Sequence, residues 1–537
     1  MKTTRPILDV ANSIGIKPEF LEFYGNDKAK IDTKCMDNLP KKNGDIVLVT
    51  AITPTKAGEG KTTMSIALAD GLNAIGEKAI LCLREPSVGP VFGIKGGATG
   101  GGKAQVVPSE EINLHFTGDM HALTSSINLI SAIIDNHIYR GNELNIDPNK
   151  VVWRRALDMN DRALRDVTVS DDGKGFKRKE HFQITVASEL MAILCLSENE
   201  EDFLNRIKRI LVAYTFEDKP VFLSELKISH AIMKLMRKAL KPNLVQTLEG
   251  NPCFIHGGPF ANIAHGCNSL IATKLATRLA PIVVTEAGFA ADLGAEKFFD
   301  IKARLGNLKP KLAVLVATIK ALKLHGGASD QELNKADVAK MIEGTKNLEQ
   351  HLVNLQKFNL PVLIAINHFQ NDSEEEVKAL IDWCNARRYQ VTFVDSFLNG
   401  SQGAMDFATK VRQMLKVYAS SFQPLYPLEL SIKDKIKTIA KEIYRAKDVK
   451  FSSKALKGIK LIETLGYQNV PVCIAKTPHS FSDDPTLLNT PKDFTIHVRE
   501  VYISAGAGFA VCLTGELLTM PGLPKVPSAV KMEESDY

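Results

Sequence analysis

Lys61 and Thr62 close the run Thr55-Lys56-Ala57-Gly58-Glu59-Gly60-Lys61-Thr62, whose residue types suit the grip of a polyphosphate. Backbone N–H groups of a small-residue turn and of a helix N-terminus face the anion. Lys61 adds a point charge, and the Thr62 hydroxyl suits a Mg²⁺ ion. The flanks agree. Ile46–Val49 is an apolar run of strand type, while Met64, Leu68, Leu72 and Ile75 recur at helical spacing before the stop signal Gly76. One irregularity stands out: the first glycine usual in such loops, five positions before Gly60, is Thr55.

A second apolar run, Ala79–Leu83, leads straight into Arg84 and Glu85. An arginine there can hold a phosphate or a carboxylate through two parallel hydrogen bonds, which lysine cannot do. Glu85 could hold Arg84 in place or help position a cation. Gly89–Gly102 comes next with seven glycines in fourteen residues, which disfavours a stable helix or strand and permits close backbone approach to a ligand. His115 to His121 contains ligand-type residues at a spacing that fits no zinc pattern, with Asp119 a candidate near Mg²⁺. His256, His265 and His325, each beside glycine, read singly as structural. Phe369 and Phe397 each follow a strand end; together they could sandwich a flat ring, and separately each reads as core.

The elements that must position these groups alternate. Strand-type runs at Cys253–Ile255, Ile282–Val284, Leu312–Val316, Val362–Ile366 and Val391–Val394 are interleaved with helical segments such as Glu374–Arg388 and Ser401–Tyr418. The fold class is α/β: a P-loop-type, mostly parallel sheet flanked by helices, with additional smaller α/β domains. In such sheets ligands gather at the carboxyl ends of strands. The residues there are Lys61 and Thr62, Arg84 and Glu85, His256 to Gly258, Thr285 and Glu286, Thr318, Asn367 to Phe369, and Asp395 to Phe397. Polar stretches near 171–179 and 423–427 suggest weak boundaries. The expected units are 1–345, carrying the phosphate loop and the glycine-rich loop, then 346–425 and 426–537.

At 537 residues, with 45% hydrophobic and 24% charged content, the composition is that of an ordinary globular protein. A net charge of +6 without any basic block argues against nucleic acid as main partner. The chain has no stretch of 18 apolar residues and no apolar signal core, so no membrane partner is expected. Eight scattered cysteines without a Cys-x-x-Cys pair read as buried thiols in a reducing, cytoplasmic compartment.

The run Thr53–Thr63 and the run Leu83–Gly97 resemble formate–tetrahydrofolate ligase. So do Asn113–Asp119, Asp158–Arg165, Phe254–Asn268, Thr285–Lys302 and Glu516–Pro527. The resemblance runs from about residue 45 to the C-terminus and implies a monofunctional ligase. Its substrates would be formate, Mg-ATP and tetrahydrofolate, its product 10-formyltetrahydrofolate, and its intermediate formyl phosphate. It further implies a homotetramer activated by K⁺ or NH₄⁺. Carried over, Lys61 and Thr62 hold phosphates and metal, Arg84 grips the formyl phosphate beside Glu85, and Phe369, Phe397 and Phe289 wall the pterin.

Three departures accompany the match. Phe397 stands where the family commonly has tryptophan, Ser401 replaces a glycine of that loop, and Lys56 replaces a proline. Lys56 also matches the signature lysine of partitioning-type ATPases, the alternative reading. A third reading keeps ATP binding and loses folate chemistry.

Overall fold

Asp45–Ala51 is buried at every position but its first, as an apolar run without alternation requires of a strand covered on both faces. Around it the chain builds a 12-stranded sheet. The structure, a computed structural model, describes residues 4–40, 43–95, 97–170, 176–515 and 518–532. Gly96, residues 171–175 of the expected boundary, and Glu516 lie outside them.

In chain order the strands are β1 Leu21–Phe23, β2 Ala29–Ile31, β3 Asp45–Ala51, β4 Ala79–Leu83, β5 Gly100–Gly101, β6 Ala104–Val107, β7 Asn243–Thr247, β8 Pro252–Ile255, β9 Ile282–Glu286, β10 Pro310–Ala317, β11 Val362–Asn367 and β12 Gln390–Val394. They lie in the order β1-β2-β7-β8-β4-β9-β3-β10-β11-β12, with β6 beside β7 and β5 beside β6. From β8 to β12 the pairing is parallel throughout. Every expected strand of the parallel run is present.

Helices cover both faces. Val47, Val49, Leu81 and Leu83 point into a core shared with α1 (Lys61–Ala74) and α6 (Met405–Val417). Ile46, Leu48, Ile80 and Cys82 point into the opposite core, shared with α2 (Asp119–Tyr139), α3 (Leu270–Leu279), α4 (Ile319–His325) and α5 (Val338–Gln356). All eight cysteines are buried free thiols. Among the described residues no helix is long and apolar enough to cross a membrane.

Residues 346–425, expected as a second α/β unit, share the central sheet: β11 and β12 continue it beyond β10. Beyond residue 425 the chain forms a separate small sheet of Val472–Ala475, Phe509–Leu513 and Glu500–Ser504. The glycine-rich segment also departs from expectation, since Gly100–Gly101 pairs as a strand with Ala104 and Gln105. Its glycines admit close approach, but to the protein's own chain. A Cβ on Gly102, whose φ is +58°, would lie 2.1 Å from the Phe397 carbonyl oxygen.

One buried ion pair ties α4 to the helix Glu374–Ala386 beyond β11. Lys323 Nζ lies 3.0 Å from Glu376 Oε1, with both side chains almost wholly enclosed. Glu376 also accepts from the Asp337 N–H at 2.8 Å and the Ser373 hydroxyl at 2.9 Å. Glu376→Ala removes the carboxylate from a buried ammonium and leaves it the Lys335 carbonyl at 2.7 Å, so the expected cost is about 3 kcal/mol. Urea unfolding should show it as a lower midpoint at unchanged slope. A shift below about 1 kcal/mol would mean that solvent reaches Lys323.

Candidate active site

Parallel register sets the site. β9 lies between β3 and β4, with Glu286 opposite Val49 and Thr285 opposite both Leu48 and Cys82. The segments that leave these three strands therefore converge at one end of the sheet.

After β3 the phosphate loop turns on itself. Gly58 N–H bonds to the Thr55 carbonyl at 3.1 Å, and Gly60 takes φ +70° to cap α1, whose first residue is Lys61. The position of a Cβ on Gly60 is taken by the Asn367 amide, 2.5 Å away, and that amide donates to the Glu59 carbonyl at 3.1 Å. Thr55 and Glu59 explain the irregular loop. The buried Glu59 carboxylate accepts from the Thr55 N–H at 2.7 Å and from the Thr318 hydroxyl at the end of β10. A carboxylate inside the loop thus does the fastening. Burial raises its pKa, against those hydrogen bonds and Lys61.

Lys61 is held below the ordinary lysine range by burial, with Glu286 and Glu59 opposing and Arg84 adding to the effect. Thr62 donates to Glu286 Oε2 at 2.9 Å, and Arg84 Nη2 stands 3.8 Å from Glu286 Oε1. Arg84 Nε is buried and has no hydrogen-bond partner among the described residues. Gly288 leaves it room, because a Cβ there would meet Arg84 Nη1 at 2.9 Å. Lys61, Thr62 and Arg84 therefore gather around Glu286.

Glu85 turns elsewhere. Successive residues leaving a strand point to opposite faces, so Arg84 meets Glu286 while Glu85 meets Asp119. Burial, then the charge of Asp119, pushes the Glu85 carboxyl well above the usual range. Asp119 is itself held by Lys30 Nζ at 2.7 Å and by the Asn243 amide at 2.9 Å. Asp119, expected near Mg²⁺, is thus engaged with Lys30 and Asn243, and the carboxylate that Thr62 meets is Glu286.

Two of the aromatic residues, Phe369 and Phe397, lie toward the other edge, whereas Phe289 follows the central β9. Phe369, half-buried after β11, has Lys320 Nζ 5.5 Å from its ring centroid, and its N–H bonds to Asp372 at 2.9 Å. Phe397, after β12, is 52% exposed. Among the described residues the two rings make no direct contact. Phe289 follows Gly288 with φ +58°, a conformation a bulky residue adopts only under constraint. Lys56 is 83% exposed at its side chain and pairs with Asp330 at 2.5 Å on the surface.

Sequence reasoning places Glu286 at a strand end and gives it no role. Its signal is a carboxylate directly after a buried parallel strand, beside two cations. His265, structural by its sequence context, is fully buried with neither ring nitrogen partnered among the described residues. Burial first, then Lys302, Lys297 and Arg84, hold it neutral.

The family model described as formate–tetrahydrofolate ligase matches residues 1–536 of the chain.

Glu59→Ala leaves the buried Thr55 N–H unpaired, at a cost of about 1–3 kcal/mol. Calorimetry with a non-hydrolysable ATP analogue should read this as roughly 5- to 150-fold weaker binding. Parent-like affinity would remove Glu59 from the loop's support.

Proposed function

The chain belongs to the formate–tetrahydrofolate ligase family and ligates formate to tetrahydrofolate at the expense of ATP; we propose that the residues around Glu286 carry this reaction through formyl phosphate. The observation that supports the reading is the convergence of Lys61, Thr62 and Arg84 on one carboxylate at the ends of three adjacent parallel strands.

A formate oxygen attacks the γ-phosphorus of ATP. The new O–P bond forms as the bond to the β-phosphate oxygen breaks, and ADP leaves with that electron pair. Two anions must meet, so catalysis is mostly positioning and neutralisation. Lys61 and the helix N-terminus behind Gly60 take the ATP phosphates. Arg84, with its buried and unpartnered Nε, takes the formyl phosphate through its planar fork. The N10 amine then attacks the formyl carbon, and phosphate, now a good leaving group, departs with the C–O electron pair and takes up the proton that N10 loses.

Mg²⁺ fits this site: the Thr62 hydroxyl and the Glu286 carboxylate, 2.9 Å apart, are the hard oxygen donors it prefers. Bound there it would neutralise phosphate charge. Activation by K⁺ or NH₄⁺ belongs to the same reading. Phe369, Phe397 and Phe289 wall the pterin in this reading. A homotetramer in the cytoplasm completes it. Lys56, sole support of the partitioning-type switch, is engaged with Asp330 on the surface.

The test separates the steps. With ATP and formate alone, hydroxylamine should trap formohydroxamate; its absence from well-folded protein would overturn the intermediate. Lys61→Ala should abolish turnover. Arg84→Ala should lower kcat by about 10²–10³, and should lower hydroxamate formation with it. Loss of folate-dependent turnover with trapping intact would place Arg84 in the second step only.

A further inference from the structure

We infer that Glu249 is a positioning residue for Phe397, clamping its loop together with the glycine-rich hairpin. The inference rests on the reading of Phe397 as a pterin-stacking ring.

Glu249 sits in the turn that joins β7 to β8, closed by Thr247 N–H to Asn251 carbonyl and Gly250 N–H to Thr247 carbonyl, both 2.9 Å. The turn is fixed from two directions. Asp70 of α1 accepts from the Thr247 hydroxyl at 2.6 Å and the Asn251 amide at 2.7 Å. The Leu248 N–H bonds to the Gln105 carbonyl of β6 at 2.8 Å. The backbone from which the exposed Glu249 side chain leaves is therefore fixed.

From that point Glu249 Oε1 accepts the Ser401 N–H at 2.8 Å. The preceding residue, Gly400, has φ +58° and ψ −140°, a combination essentially confined to glycine. A Cβ there would lie 2.7 Å from the same Glu249 oxygen. The loop therefore turns tightly against this carboxylate. Ser401, the replaced glycine of the sequence comparison, supplies an N–H as glycine would, and its side chain is buried.

From the glycine-rich hairpin the Lys103 N–H donates to the Phe397 carbonyl at 2.9 Å. The ring lies against Gly101, where a Cβ would stand 3.0 Å from Phe397 Cε2. Phe397 is thus held by its backbone and one ring edge while about half of it stays open to a ligand. The glycine-rich segment serves here as the seat of an aromatic ring. Glu249 fixes the loop that presents it.

The experiment compares Phe397→Ala, Glu249→Ala and Glu249→Gln with the parent, by KM for each substrate and by titration of a folate analogue. Phe397→Ala should raise the tetrahydrofolate KM about 10-fold. Glu249→Ala should raise it about 3- to 10-fold, with ATP KM and hydroxamate trapping unchanged. Glu249→Gln keeps the accepting oxygen and should stay near the parent. If Phe397→Ala raises the KM and Glu249→Ala does not, the inference fails and the stacking reading stands. If Phe397→Ala changes nothing, both fail. A Glu249→Gln variant as impaired as Glu249→Ala, or an ATP KM that rises in parallel, would also overturn the positioning role.

Discussion

One carboxylate, Glu286, lets the rest of the site exist. The parallel sheet forces the ends of β3, β9 and β4 together, and the two outer strands deliver Lys61 and Arg84 to the same corner. Burial already penalises the charge of Lys61, and Arg84 nearby disfavours it further. Glu286 sits on the middle strand, accepts from Thr62 and faces Arg84, so the corner is balanced before any anion arrives. In the proposed reading, an incoming polyphosphate meets cations that the sheet and this carboxylate already hold in place, so they need little rearrangement.

How much of this is legible in the sequence depends on the range of each interaction. Buried parallel strands are unbroken apolar runs, so β3, β4 and β8 to β12 can be read directly, as can the small residues and Gly-Lys-Thr of the phosphate loop. The order of the strands cannot. Without it, Arg84 and Glu85 look like a pair, whereas the pleat sends them to different partners. Lys30 is 89 positions from Asp119, and nothing near either residue announces their ion pair. Glu59 is visible as a loop residue, but its bonds to Thr55 and to Thr318, 259 positions away, depend on β10 lying beside β3. The glycine-rich run misleads for a related reason. Glycine permits close approach without saying to what, and here the neighbour is Phe397.

The C-terminal part is built into the same support. Thr53, at the start of the phosphate loop, has its hydroxyl 2.9 Å from His351 Nε2 and its carbonyl 3.0 Å from His325 Nε2. The other nitrogen of His325 accepts the Asn489 N–H at 3.0 Å, and Asn347 donates both to Thr53 and to the Asn489 carbonyl. Burial lowers His351 to about 3 and His325 to about 4. Both stay neutral through the physiological range, so each ring can offer one donor and one acceptor without titrating. A charged imidazole would have two donors and would break the alternation of this network. The phosphate loop is therefore anchored through groups whose protonation does not change with the chemistry in front of it.

The same geometry separates the two halves of the reaction and then rejoins them. Strands stand about 4.8 Å apart, so β11 and β12 carry Phe369 and Phe397 about 10 and 15 Å along the sheet from the phosphate loop on β3. A folate ring at that edge would be remote from Arg84 if the sheet alone set the distances. The β5–β6 hairpin crosses α1, where Gly100 packs on Ile66, and reaches Phe397 from the Arg84 side of the sheet. In the proposed reading, the seat of the aromatic ring and the grip on the acyl group both belong to chain that follows β4. The same reading asks for a fixed separation between the formyl carbon and the amine that must reach it, which is the geometric condition for transfer before the mixed anhydride meets water.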